Sequence, residues 1–299
     1  MALSPHILSV HTLPRPVAAT ATDYPPGHSI DWHHHPKAQL IYGIAGVMTV
    51  TTEAGVWVIP PGRAVWVPAG IEHKVDIAGE GRMRSLFVAG DVARDMPGEC
   101  AVVTVPGLLR ELILAAVELP KLYDEDGPDG RLMRVILDQL RRLKPTPLYL
   151  PNPSDARLKR IADAVAADPA DRTPLGAWAR SAGASARTLA RLFVKQTGLT
   201  FGAWRQQARL LKALEWLAEG RPVTAVALDL GYESPSAFIA MFRRALRVSP
   251  GRYFKGPRRR TAGADGPPVT GDRPPGSLSY NSPRASRTGR DGPKARRPA

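Results

Sequence analysis

Two short stretches of this chain carry side chains suited to reading duplex DNA. After Ser185 come Ala186, Arg187, Ala190, Arg191 and Lys195; after Ser234 come Ser236, Ala237, Ala240, Arg243 and Arg244. The fork of an arginine can bond O6 and N7 of one guanine, whereas small side chains suit thymine methyls or the backbone. Arg187 is the candidate for a guanine contact. Arg243 and Arg244 suit phosphates, which take half or more of protein–DNA hydrogen bonds. The first stretch is therefore expected to carry more sequence information than the second.

Both stretches are the second half of a pattern that occurs twice, about 49 residues apart. In each copy an Ala (Ala179, Ala227) is followed four residues later by a Gly (Gly183, Gly231). A Ser then starts a helix whose apolar residues fall at Ser+4 and Ser+8, namely Leu189 and Phe193, then Phe238 and Phe242. The small residue lets a second helix cross closely. Gly ends the first helix at positive φ, and Ser caps the next. The apolar pair faces inward, leaving the opposite face free for a major groove. These are two helix-turn-helix units, expected at Ser185–Lys195 and Ser234–Arg244 for their second helices, joined by an amphipathic helix over Phe201–Ala218.

Leu175–Pro250 resembles the DNA-binding domain of AraC/XylS-family bacterial transcription regulators. The resemblance is carried by Ala179, Gly183, Ser185, Leu189, Arg191, Phe193, Gly198, Arg209 and Leu210, then Val226-Ala227, Gly231-Tyr232, Ser234, Phe238, Phe242, Arg243 and Val248-Ser249-Pro250. It implies a sequence-specific regulator, activator or repressor, whose partners are double-stranded promoter DNA, a small-molecule effector, RNA polymerase and a second copy of itself. It also suggests that Arg191 either reaches phosphate or braces the domain. One departure is Arg247, where the family usually has Gly; a left-handed cap there costs a non-Gly residue about 1 kcal/mol.

The N-terminal half has a different texture. Short runs at Leu40–Ile44, Val47–Thr51, Val56–Ile59, Ala64–Val67 and Arg84–Val88 are separated by Gly and Pro, as in a small antiparallel barrel or jelly roll. A leading strand is expected at Ile7–Val10. Gly27-x5-His33-x-His35-x3-Gln39-x6-Gly46 and Gly62-x5-Pro68-x-Gly70-x2-His73 resemble the two cupin motifs. Gln39 replaces the usual Glu, and Ile77 the usual Asn. In metal-binding cupins the matching positions are ligands, which implies His33, His35, Gln39 and His73 as candidates for a divalent metal. Neutral imidazoles suit Zn, Fe, Ni or Cu, but Gln brings no negative charge. A metal-free effector pocket and purely structural histidines are the alternatives. His34, between two rings on one strand face, is expected on the surface. A cupin dioxygenase or isomerase fused to a DNA-targeting domain is the rival function, and a barrel that only dimerises is a third. No independent catalytic motif is evident, so the chain is not expected to be an enzyme.

The expected fold class is α+β and multidomain: a cupin-like barrel over 1–105, a helical flank for dimerisation over 106–143, a linker over 144–153, an all-α domain over 154–255 and a tail over 256–299. In the flank, 106–120 and Gly130–Leu143 read as amphipathic helices, the second with Leu132, Val135, Ile136, Leu140 and Leu143 inward. The four linker prolines suggest a semi-extended tether. Ser154 and Thr173 are expected to cap the first two helices of the all-α domain.

Charge agrees with this division. The total is +14, with −2 over 1–153, +9 over 154–255 and +7 over 256–299. Basic charge thus sits on the parts expected to meet phosphates. The tail, in which 15 of 44 residues are Gly or Pro, suits no packed core; it either adds non-specific DNA affinity or is a dispensable extension. The lone Cys100 excludes an intrachain disulfide framework. With no signal-peptide pattern and no membrane-length apolar run, the expected location is the cytoplasm.

Overall fold

The computed structural model describes residues 10–254. The tail over 256–299 and most of the expected strand at Ile7–Val10 lie outside them; Val10 itself is helical. The strands are β1 (Val17–Tyr24), β2 (Ser29–His33), β3 (Ala38–Thr52), β4 (Gly55–Ile59), β5 (Arg63–Val67), β6 (His73–Val88), β7 (Ala101–Thr104) and β8 (Tyr149–Pro151).

Two long strands organise the barrel. β3 and β6 pair antiparallel along most of their length, with register shifts between Gly43 and Val47. Beyond the shift on one side they carry β1, β5 and β7; on the other they carry β2, β4 and β8. The result is two sheets sharing folded-over strands, a jelly-roll sandwich. The expected runs Leu40–Ile44 and Val47–Thr51 are therefore one strand. Its corner needs Gly46, at φ +73, because a Cβ there would sit 2.6 Å from the Glu80 carbonyl oxygen. Period-2 burial along β6 turns His73, Val75 and Ile77 into the sandwich.

Helices α1 (Gly107–Ala116) and α2 (Pro128–Arg141) cover the outer face of the first sheet. Leu109, Ile113, Met133, Ile136 and Leu140 pack there with Leu40, Tyr42, Trp66 and Leu86. The inward stripe of α2 differs from expectation: Met133 and Leu137 are buried, while Val135 is 41 % exposed. Gly130 sets this rotation, since a Cβ on it would lie 1.9 Å from the Glu125 oxygen. Only that bare face can lie against the preceding turn.

The 144–153 segment is not a free tether. Its Tyr149–Pro151 forms β8 beside β4, with Tyr149 stacked on Trp57 at 6.3 Å between centroids. Thr146 N–H donates to Val102 O at 2.7 Å, and Asn152 N–H to Ala54 O at 2.9 Å. Prolines fit here because β8 is an edge strand.

The helical half comprises α3 (Ala156–Ala167), α4 (Leu175–Ser181), α5 (Ala186–Thr197), α6 (Phe201–Ala218), α7 (Val223–Asp229), α8 (Pro235–Leu246) and the short α9 (Pro250–Tyr253). Asp155, not Ser154, caps α3. Its carboxylate also takes the Arg157 guanidinium at 2.7 Å, a charge-assisted bond a serine could not match. Those contacts, the side-chain bond to Arg157 first, hold the Asp155 pKa at about 2. Thr173 does not cap α4: Pro174 is the N-cap, and Thr173 donates its own N–H to Asp171.

Arg247 ends α8 at φ +63 and ψ +11, in the left-handed region. It is the one non-Gly residue at positive φ among the described residues. Arg247→Gly is expected to stabilise the protein by about 1 kcal/mol, read as a raised denaturation midpoint at unchanged m-value. A lowered midpoint would show that the guanidinium contributes more than the backbone strain costs.

Candidate functional site

The two helix-turn-helix units are built alike. Ala184 N–H reaches back to Ala179 O at 3.1 Å and Tyr232 N–H to Ala227 O at 3.0 Å, closing the first helices with the same bond. Gly183 and Gly231 supply the turn at φ +61 and +76. Ser185 Oγ accepts from Thr188 N–H, and Ser234 Oγ from Ala237 N–H. Ala179 and Ala227 are buried beneath the crossing helices, as are Leu189, Phe193, Phe238, Met241 and Phe242; Leu192 is half-buried.

Ala186, Arg187, Ala190, Arg191 and Lys195 on α5 are all exposed, as are Ser236, Ala237, Ala240, Arg243 and Arg244 on α8. Each recognition-type helix thus presents one polar-and-small face outward and buries the other. Arg209 has a different role. It donates to Pro169 O at 2.6 Å and Asp171 O at 3.1 Å, with its guanidinium over the Tyr232 ring at 5.8 Å. It ties the turn before α4 to the second unit.

A second cluster lies between the two sheets of the sandwich. His33 ends β2 and pairs in register with His73 at the start of β6; His35 follows in the turn to β3. His34 is exposed, as expected. Each of the three inner rings holds Nδ1 against a backbone carbonyl: His33 on Asp31, His35 on Lys37 and His73 on Ile71. That fixes Nδ1 as the protonated nitrogen and leaves Nε2 with its lone pair, the arrangement that orients metal-binding imidazoles. One nitrogen from each ring falls within 4.8 Å of the others. His73 Nε2 is buried without a partner.

Gln39 joins this cluster differently. Its Oε1 lies 2.9 Å from His35 Nε2 and its Nε2 2.9 Å from Ser85 Oγ. Two oxygen acceptors on one ring would require an imidazolium, which burial disfavours; turning the Gln39 amide satisfies a neutral His35, whose Nε2 lone pair then accepts from the amide and would have to exchange that bond for a metal. Burial, above all, holds His33 and His35 below the usual imidazole range and His73 at about 4. Three neutral imidazoles with oriented second nitrogens fit a borderline divalent metal. His33, His35 and His73 would hold it, and Gln39 would be a neutral neighbour.

His11 packs against this cluster, and nothing in the sequence pattern marked it. Its ring stacks on His35 at 4.9 Å and meets Phe87 edge-on at 5.0 Å. Burial, then the neighbouring His35, holds it at about 4. Ser85 and Lys37 were likewise not legible as pocket residues.

The barrel touches the helical half directly. Trp204 Nε1, on α6, donates to Pro151 O of β8 at 2.8 Å. Thr49 Oγ1, on β3, donates to Glu215 Oε1 at 2.8 Å. Gly79 meets the end of α6 so closely that a Cβ would lie 2.5 Å from Ala218 O. One buried cluster runs from Val50 and Val75 through Leu150 to Trp204 and Phe193.

Comparison with known proteins agrees with both halves. A helix-turn-helix domain family matches residues 178–256, and a cupin domain family matches 21–89. The chain is 38 % identical over 222 residues to the HTH-type transcriptional regulator NimR of Escherichia coli (strain K12), covering 74 % of this chain and 81 % of that protein. It is 35 % identical over 135 residues to the HTH-type transcriptional regulator RipA of Corynebacterium glutamicum, covering 45 % of this chain and 39 % of that one. The solved structure of ToxT from Vibrio cholerae overlaps at TM-score 0.34 and 12 % identity, over 80 % of this chain and 94 % of that one; so low a score adds nothing to the assignment. Two helix-turn-helix units of matching construction, a cupin sandwich before them and a regulator alike over most of its length place this chain in the AraC-type family of helix-turn-helix transcriptional regulators with an N-terminal cupin domain.

Proposed function

We propose that α5 and α8 read promoter DNA in successive major grooves, and that a divalent metal on His33, His35 and His73 biases that reading. The observation that carries the first part is the outward face shared by both helices, where all ten candidate residues are exposed. Arg187 is the principal base reader. Arg191, Lys195, Arg243 and Arg244 serve phosphates, and Ala186, Ala190, Ser236, Ala237 and Ala240 allow close approach. The route from pocket to DNA is the barrel wall itself, through β8 to Trp204 and through Thr49 to Glu215.

The pocket is read as a sensor, not a catalytic centre. Support comes from the relatives, which are named as regulators, and from Gln39, which stands where metal-binding cupins have a carboxylate ligand. A polar effector hydrogen-bonded by Gln39 and Ser85 is the second reading, favoured by the bond between those two side chains. The protein is further proposed to act in the cytoplasm beside RNA polymerase; no helix among the described residues is long and apolar enough to cross a membrane. A homodimer is supported by Leu108, Leu122 and Val135, exposed on the helical flank at 58 %, 62 % and 41 %.

The DNA-reading surface is tested with Ala190→Glu and Ala237→Glu. Each adds a carboxylate to an exposed position without touching the core. Each is expected to weaken binding to a selected duplex about tenfold through like-charge repulsion, with the thermal midpoint unchanged. Anisotropy titrations showing wild-type affinity for both variants would overturn the assignment.

A further inference from the structure

We infer that His11 is the fourth imidazole ligand of the pocket, delivered from outside both cupin motifs by the N-terminal segment. The inference rests on the metal reading above and concerns a residue that the cupin resemblance does not assign.

The segment holding His11 is fastened beside the histidine cluster. Lys37 Nζ donates to Leu13 O at 2.9 Å and to Arg15 O at 3.1 Å. Arg15 Nε donates to Tyr123 O at 2.8 Å. Val10 is fully buried in a small cluster with Ala18 and Phe87. Fixed on both sides, His11 is held against His35 and Phe87, beside the three rings whose nitrogens lie within 4.8 Å of one another. Both of its ring nitrogens are buried without a hydrogen-bond partner, and so is His73 Nε2. A donor and an acceptor held in that condition are costly and call for a partner. Among the described residues no group supplies one, and Gln39 is engaged by His35 and Ser85.

A borderline divalent ion meets this need. Three imidazoles leave a four-coordinate metal one protein ligand short. The cupin resemblance would take that ligand from position 39, but an amide is a weak, neutral donor. An imidazole is a better one, and His11 lies against His35 with interplanar angle 16°. Ligation would require His11 to turn out of that stack, bringing a nitrogen to the three that already converge. The donor set would then be entirely neutral, which favours Zn, Cu, Ni or Co over Mg or Ca.

The test uses the full chain and Co(II), whose visible d–d bands are intense in four-coordinate sites and weak in higher-coordinate ones. Wild type is expected to take up one Co(II) per chain with intense bands. His11→Phe keeps a ring for the contacts with His35 and Phe87 but removes both nitrogens. It is expected to lower Co(II) affinity tenfold or more, roughly the loss seen even for outer-shell partners, and to shift the band positions and intensities as water oxygen replaces an imidazole nitrogen. His73→Ala should abolish stoichiometric binding. Wild-type affinity and spectrum in His11→Phe, with matching circular dichroism, would overturn the role of His11 alone. Absence of stoichiometric Co(II) and Zn(II) in wild type would overturn both this inference and the metal reading, while leaving the DNA-reading surface untouched.

Discussion

Trp204→Ala is expected to destabilise the protein by about 3–5 kcal/mol, the range for deleting a large aromatic from a core. Three losses combine at this position. The indole is 1 % exposed and lies edge-on to Phe193 at 5.7 Å, so truncation leaves a cavity in the first helix-turn-helix unit. Its Nε1 also satisfies Pro151 O, a carbonyl on a buried residue at the edge of the barrel sheet. Removing that donor orphans the acceptor, a further penalty. Trp204→Phe separates the terms: it keeps most of the volume and loses the hydrogen bond, with an expected cost of about 1–2 kcal/mol. Urea denaturation of both variants, followed by far-ultraviolet circular dichroism, gives the comparison. A loss under about 1 kcal/mol for Trp204→Ala would mean that β8 and α6 are not energetically joined, and the proposed route between pocket and DNA would fail with it.

Arg187→Ala is expected to reduce discrimination between a selected site and random duplex by about 1–3 kcal/mol, tenfold or more at mid-range. Arg187 sits near the start of α5, exposed, two residues after the capping Ser185. A fork at that point reaches base edges more readily than residues farther along the helix. Arg187→Lys keeps the charge and loses the fork, so it should retain non-specific affinity while losing most of the discrimination. The alternative is a phosphate contact. In that case binding to both duplexes would weaken alike and the salt slope would fall by about one, with the specificity ratio unchanged. Measuring both affinities at several salt concentrations distinguishes the two.

The parts of this molecule legible from sequence are those whose signals are local. A capping serine, a positive-φ glycine and an i, i+4 apolar pair lie within about a dozen residues, so both helix-turn-helix units and their outward faces could be placed before any coordinates. The cupin spacing likewise held His33, His35, Gln39 and His73 together. What escaped was set by distant pairing. β8 lies in a proline-rich stretch that reads as a tether, and it becomes a strand only because β4 offers an edge. β1 is a run of small residues and threonines, and the first half of β6 is interrupted by charges; neither shows enough apolar surface to stand out. The rotation of α2 depends on the close approach at Gly130, invisible to periodicity. His11 is a single imidazole in an irregular leader, and its place follows from where Lys37 pins the chain.

If both recognition helices read DNA as one bipartite unit, their footprint is distinctive. The most direct measurement is a hydroxyl-radical footprint of the full-length protein on duplexes it selects from a random pool. Two protected patches on one face, centred about 10 base pairs apart, are predicted from two helices in successive major grooves. Alanine at Arg187 should erase the patch under α5 and leave the one under α8. A single patch, or equal protection of unselected DNA, would contradict bipartite reading by α5 and α8.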